Sequence, residues 1–254
     1  MNSVYTKGED KKRVFMGIVR ERRSIRRFKP VKIPEEHIRT LMEAAQRAPS
    51  DAALHLWTAI WVRDDARKEE IAGLVGQRHI AEASDFFVFI ADIHRPERLL
   101  EHRGVRPGDV DYALLLFSAI DAGIAAENMA LAAVSMGYGS CFIGGIQNAV
   151  RDIIRLLGLP EKTYPLFGLA VGVPGEEPPP RPRFPLDTIF HHERYHEYTD
   201  NDLERIYEAM APITRRGDYL RLLARYLGPG GFFEERNKEL PMLLKSLNFN
   251  ICQP

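Results

Sequence analysis

Short apolar runs alternating with helical segments predict a mixed fold of the α/β or α+β class. Three observations carry the prediction: aromatic and branched runs at 56–62 (LWTAIWV) and 85–91 (DFFVFIA), two further strand-like runs at 138–143 and 166–173, and a long alanine-rich helical stretch between the two pairs. With 254 residues, 45% of them hydrophobic, the chain has material for one compact domain or a core with an attached subdomain.

Residues 1–15 hold no apolar run long enough for a secretory signal, and read as a polar lead-in to a helix over 11–22. A second helix is expected over 34–47, where Pro34 suits the first turn and Glu35 and Glu36 complement the helix dipole. Residues 65–75 make a helix between the first two strands, and 94–109 read as a polar loop. The long helix of about 110–136 stops at Gly137; its length could span a bilayer, but Asp121, Glu127 and Asn128 would be costly in lipid, so it reads as a buried protein helix. A helix over 147–157, closed by Gly158 and Pro160, separates the last two strands. Residues 173–185 are too proline-rich for helix or central strand and read as an extended arm. Helices follow at 199–210, 215–227 and 236–247, with a Gly-Pro-Gly-Gly turn at 228–231 before the last.

Thirty-five basic residues balance thirty-five acidic ones, which argues against a general attraction to nucleic acid or anionic lipid. Cys141 and Cys252 are far apart and form no CxxC pair, so a reducing cytoplasm fits and neither a disulfide framework nor a cysteine zinc site is suggested.

Three motifs bear on chemistry. Arg22-Arg23-Ser24-Ile25-Arg26-Arg27 sets guanidinium forks and a hydroxyl beside a helix end, which suits a phosphate; a solvated basic turn or a nucleic-acid patch has the same appearance. Phe142-Ile143-Gly144-Gly145 is a strand running into paired glycines, where backbone can approach a flat ligand; an ordinary strand-to-helix turn reads the same way. Arg181 and Arg183 in the stiff arm form either a second phosphate clamp or a soluble linker. There is no GxSxG, HExxH or CxxC, His191-His192-Glu193 lacks metal-pair spacing, and Glu176-Glu177 reads as a solvated turn pair. No metal site is expected, and no side chain is assigned a catalytic role.

In order along the chain, ERRSIRRF at 21–28, AQRAPSDAALHLW at 45–57, GQRHI at 76–80, residues 137–145, and residues 165–185 resemble the FMN-dependent nitroreductase family. GQRHI, the Pro-Arg-Phe-Pro arm and the C-terminal helices are most similar to its larger subgroup of oxygen-insensitive nitroreductases and NADPH-flavin oxidoreductases.

The resemblance implies an α+β fold with a central, mostly antiparallel sheet flanked by helices, in an intertwined homodimer with FMN at the interface. It implies a core over residues 1–198 with a helical extension over 199–254. Arg22, Arg23, Ser24 and Arg26 would hold the FMN phosphate and ribityl chain, with Arg183 and Arg181 completing the clamp. Ser50, Asp51 and Ala52 would line the cofactor, Gln77 would contact it, and the backbone of Phe142, Ile143, Gly144 and Gly145 would lie along the ring. Arg215 and Arg216 would meet the extra phosphate of NADPH or stand as surface charges. The implied activity is a ping-pong transfer of hydride from NADPH or NADH through the flavin to a small acceptor such as a nitroaromatic, quinone or flavin; a flavin-binding carrier or redox sensor without turnover is the alternative. The family commonly has Asn where this chain has Ala53 and Gln where it has His55, a change on the substrate side in which His55 is read as filling space.

Overall fold

The computed structural model describes residues 2–214 and 218–250. Among these, four strands, β1 (Trp57–Val62), β2 (Asp85–Asp92), β3 (Gly139–Ile143) and β4 (Thr163–Gly172), pair antiparallel in the order β1-β2-β4-β3. Helices α1 (Asn2–Glu21), α2 (Glu35–Gln46), α3 (Asp65–Val75), α4 (His79–Glu82), α5 (His94–His102), α6 (Asp111–Ser135) and α7 (Val150–Leu157) accompany the sheet. The fold is α+β, as the resemblance implies.

Every residue of β2 is buried because its alternating side chains feed two layers. Phe87 and Phe89 pack with Ile38 and Leu41 of α2 and Ala125, Ala126 and Met129 of α6. Phe86, Val88 and Ile90 pack on the opposite face with Ile71 and Val75 of α3, Ile80 of α4 and Ile153 of α7. Sheet and helices thus form three layers, with β1 and β3 as the outer strands.

Helix α6 is long and apolar enough to cross a membrane, yet its polar residues Asp121, Glu127 and Asn128 have protein partners. Asp121 accepts from Asp51 N at 3.0 Å, Glu127 pairs with Arg22 at 3.2 Å, and Asn128 donates to Ala44 O at 3.2 Å. Its alanines at 122, 125, 126, 130 and 133 are buried and allow close approach to its neighbours.

Four expectations in the first part of the chain need correction. Helix α1 begins at Asn2 rather than near residue 11, since lysines, arginines and carboxylates are good helix formers and pair at i,i+3, as in Lys12–Glu9 and Arg13–Asp10. The polar stretch after residue 93 is not a loop throughout: α5 forms there, with Asp92 accepting from Arg95 N at 3.0 Å. Residues Gly144–Asn148 make a 3-10 turn, and α7 starts only at Val150. β4 starts at Thr163, because a bulge at Leu166 absorbs Pro165, which has no N–H to give. The side-chain amide of Gln147 bridges this bulge, donating to the carbonyls of Pro165 and Leu166 at 2.7 Å each, and Tyr164 Oη donates to Gln147 Oε1 at 2.5 Å.

The chain divides into two compact units, one of Met1–Pro178 with Leu244–Pro254 and one of Pro179–Leu243. The second holds α8 (Asp200–Met210), α9 (Tyr219–Leu227) and most of α10 (Phe232–Ser246). Thr199 and Asp202 cap α8 reciprocally, and Arg205 reaches both carboxylate oxygens of Asp187 at 2.8 Å. Helix α10 starts four residues earlier than expected, where Glu234 accepts from Gly230 N at 2.6 Å and closes the glycine turn.

Candidate functional site

The basic segment after α1 runs beside the free edge of β3. Ile25 N donates to Ser140 O at 2.9 Å, and Ser24 bridges Ser140 in the parallel sense. The approach is close enough that a Cβ on Gly139 would lie 2.5 Å from Ile25 Cγ1, so only glycine fits there. Glu176 organises the segment from the other side. Its Oε1 accepts from Arg26 N at 2.6 Å and Arg27 N at 3.1 Å, while Oε2 accepts from Arg27 Nε at 3.1 Å. The Arg26 N–H bond is the main cause holding this carboxyl below its ordinary pKa, with the Arg27 contacts adding to it. Glu176 is therefore an anchor of the site rather than a solvated turn residue. It escaped the sequence reading because its partners lie about 150 positions away.

The predicted phosphate ligands do not stand alike. Arg22 is paired with Glu127 of α6, and Arg23 donates through Nη1 to the carbonyls of Arg20 and Arg22, at the C-terminal end of α1. Arg26 has its backbone pinned by Glu176 and its residue exposed. Ser24, held beside Ser140, stands two residues before it in the chain.

At the far end of β3 the paired glycines meet Gln77. Gly76 ends α3 in the left-handed region (φ 71°), which turns the chain so that Gln77 N donates to Ala72 O at 3.0 Å. A Cβ on Gly145 would lie 2.5 Å from Gln77 Nε2. The five residues of β3 separate this contact from the basic segment by roughly 13 Å at the usual strand rise. Phe142 is exposed on the same strand, its ring 5.6 Å from that of Phe167, and Ile143 is buried.

His79, at the start of α4, has its proton affinity pushed down by burial first and by the charge of Arg26 second, with Glu82 and Glu176 opposing. Its Nε2 is buried without a hydrogen-bond partner.

Ser50, Asp51 and Ala52 lie elsewhere in the chain, in the segment leading into β1 at the opposite edge of the sheet. Asp121 of α6 ties this segment down by accepting from Asp51 N and from Leu56 N, the latter at 3.4 Å. Ala52, Ala53 and His55 all have positive φ (45°, 58° and 50°). The hydroxyl oxygen of Ser50 is buried without a partner. The chain therefore brings together Arg23, Ser24, Arg26, Gln77 and the paired glycines along β3, and leaves residues 50–52 at the other edge. Arg181 and Arg183 belong to the second unit, where Arg183 donates to the carbonyls of Arg181 (3.3 Å) and Pro182 (3.0 Å). Arg215 and Arg216 lie outside the described residues.

A flavin mononucleotide suits this arrangement. Arginine and serine donors at one end of β3 match a phosphate, a glycine pair backed by an amide at the other end matches a flat ring, and the unpartnered nitrogen of His79 and hydroxyl of Ser50 leave hydrogen-bonding capacity for a polar ligand.

Comparison with known proteins agrees. The Nitroreductase family model matches residues 19–173. The NADPH-dependent oxidoreductase of Staphylococcus aureus (strain MRSA252) is 35% identical over 82% of this chain and 81% of its own length. The FMN reductase (NADPH) of Bacillus subtilis (strain 168) is 37% identical over 70% of this chain and 73% of its own. Among solved structures, the NfrA1 nitroreductase from B. subtilis superposes with a TM-score of 0.85 at 30% identity, covering 93% of this chain and 99% of that one. The sheet order, the glycine-backed outer strand and these matches together make the chain a member of the nitroreductase family.

Proposed function

We propose that this protein is an FMN-dependent oxidoreductase that takes hydride from NADPH or NADH and passes it, in a ping-pong cycle, to a small acceptor: a nitroaromatic, a quinone or a flavin. The observation that carries the reading is the alignment of Ser24, Arg26, Gln77 and Gly144-Gly145 along one outer strand, in a chain whose relatives bear the names FMN reductase (NADPH) and nitroreductase. Bound there, FMN supplies the two-electron relay, so the protein needs no nucleophile or metal of its own.

The residues then divide the work. Ser24 and Arg26 hold the phosphate, with Arg23 contributing from the end of α1. Arg22 orients the segment through Glu127 rather than meeting the phosphate directly. Gln77 and the backbone of residues 142–145 bind and orient the ring system. The core over 1–198 carries the cofactor, and the helical extension over 199–254 follows it. The balanced charge and the cysteine usage support a place in the cytoplasm.

The working form is a homodimer. Residues 50–52 stand at the opposite sheet edge from the basic segment, so a second copy supplies them to each site. An apolar stripe supports this: Tyr112, Leu116, Ile120 and Ile124 recur every fourth residue on α6 and are 73, 61, 48 and 39% exposed.

The test is an absorbance spectrum of the protein with FMN, followed by anaerobic addition of NADPH and, separately, NADH. The expected result is a bound flavin spectrum that bleaches with at least one donor. Bound flavin that stays oxidised with both would favour a carrier or sensor, and failure to bind FMN at all would overturn the reading.

A further inference from the structure

A cavity of about 850 Å³ opens on the face of the first unit away from β3, between the end of α2, the start of β1 and α5. Its volume lies in the range of small-molecule sites. Three guanidinium groups line it, Arg39 and Arg47 from α2 and its C-cap and Arg95 from α5, against the single carboxylate of Glu43. His55 and Trp57 add two rings.

This wall is held in place before any ligand arrives. Arg95 donates to the carbonyls of His55 and Trp57 and to Thr58 Oγ1, and Asp92 stands 4.0 Å from it. Trp57 is stacked on Phe89 of the core at 5.8 Å. Arg95 is therefore committed to shaping the cavity. Arg39 is held only by an exposed ion pair to Glu35 at 2.9 Å, a contact weak enough to exchange for a better anion. Arg47, the C-cap of α2, is exposed at the rim, about two turns further along the helix.

We propose that this cavity binds the phosphate-bearing part of an aromatic substrate of the enzyme, with Arg39 and Arg47 as the phosphate forks and the Trp57 and His55 rings as the aromatic wall. The inference rests on the oxidoreductase reading and narrows it. The cavity's lining residues flank in the chain the 50–52 segment assigned to the cofactor, and the site gives the substitution of His for the family's Gln at position 55 a role in substrate choice. Two substrates of that reading have this chemistry: the donor NADPH, through its 2′-phosphate, and free FMN as acceptor.

The experiment uses the FMN-loaded protein and the R39A/R47A variant, with R39Q/R47Q as a second variant that keeps more of the side-chain packing. Calorimetric titrations with NADP+, NAD+ and further FMN come first, since a cofactor site already filled leaves only a second site to report. Steady-state KM values for NADPH against NADH, and for FMN against riboflavin as acceptor, follow. The expected result is a loss of about tenfold or more in affinity, and the same rise in KM, for the phosphate-bearing member of one pair relative to its phosphate-free partner. A change confined to NADP+ and NADPH assigns the site to the donor; one confined to FMN assigns it to the acceptor. Equal behaviour of both variants and the unaltered protein in both pairs would overturn the proposal. Failure of the oxidoreductase reading is distinguishable, because a protein that binds no cofactor shows no flavin absorbance, and the NADP+ and FMN titrations on it still decide whether the two arginines bind phosphate.

Discussion

At Arg26 the physical argument is sharpest, because the neighbouring basic residues have other engagements. Arg22 answers Glu127, Arg23 answers helix carbonyls and Arg27 answers Glu176, so Arg26 is the guanidinium of the segment with its head not committed to one of these contacts. A charge-assisted hydrogen bond to phosphate is worth about 1.5–3 kcal/mol, so Arg26→Ala is expected to raise the FMN dissociation constant by roughly 10- to 100-fold. Fluorescence titration of the apoprotein measures this, and unchanged affinity would remove Arg26 from the phosphate site. The same residue shows what could be read in advance. The residue types and their place after a helix were plain in RRSIRRF, but which of four arginines is available depends on Glu127 and Glu176, contacts across more than a hundred positions that no local pattern encodes.

Among the elements, the segment leading into β1 carries the most strain. Ala53 sits at φ 58° and Ala52 at φ 45°, a region that costs an alanine about 1–2 kcal/mol. The family's Asn at position 53 tolerates that backbone, so the departure to Ala removes a conformational fit as well as an amide. Ala53→Gly, and Ala53→Asn with it, is expected to stabilise the fold by up to about 1 kcal/mol, a rise in Tm of about 2–4 °C. Thermal unfolding of the two variants checks it, and lower Tm in both would mean that the alanine methyl is needed for packing. Elements whose limits were legible share a cause: β2, α3 and α6 have apolar faces and glycine or polar ends, so periodicity and stop signals coincide. The first half of α1 and all of α5 were not, because exposed helices held by i,i+3 ion pairs have no apolar stripe to reveal them.

For the whole molecule, the exposed stripe of α6 sets the expectation. Leu116→Glu with Ile120→Glu places two charges on a surface that a second copy is proposed to cover, while touching no buried residue. The variant is expected to sediment as a monomer and to lose FMN in parallel, since each site is proposed to draw residues 50–52 from the other chain. A monomer that retains FMN with full affinity would show that one protomer completes the site by itself.

The bulge at Leu166 gives the central sheet two different clocks. Beyond it, residues 168–171 of β4 are paired on both sides, to β2 and β3, and deeply buried, whereas residues 163–165 are paired to β2 alone. The junction is spanned by one side-chain amide, that of Gln147, which is itself in a short 3-10 turn. Amide protons past the bulge should exchange with solvent only when the molecule unfolds globally, and those before it through a cheaper local opening of the Gln147 bridge. A single strand thus joins the slowest-breathing part of the protein to a faster one, with the paired glycines at 144 and 145 on the turn between them.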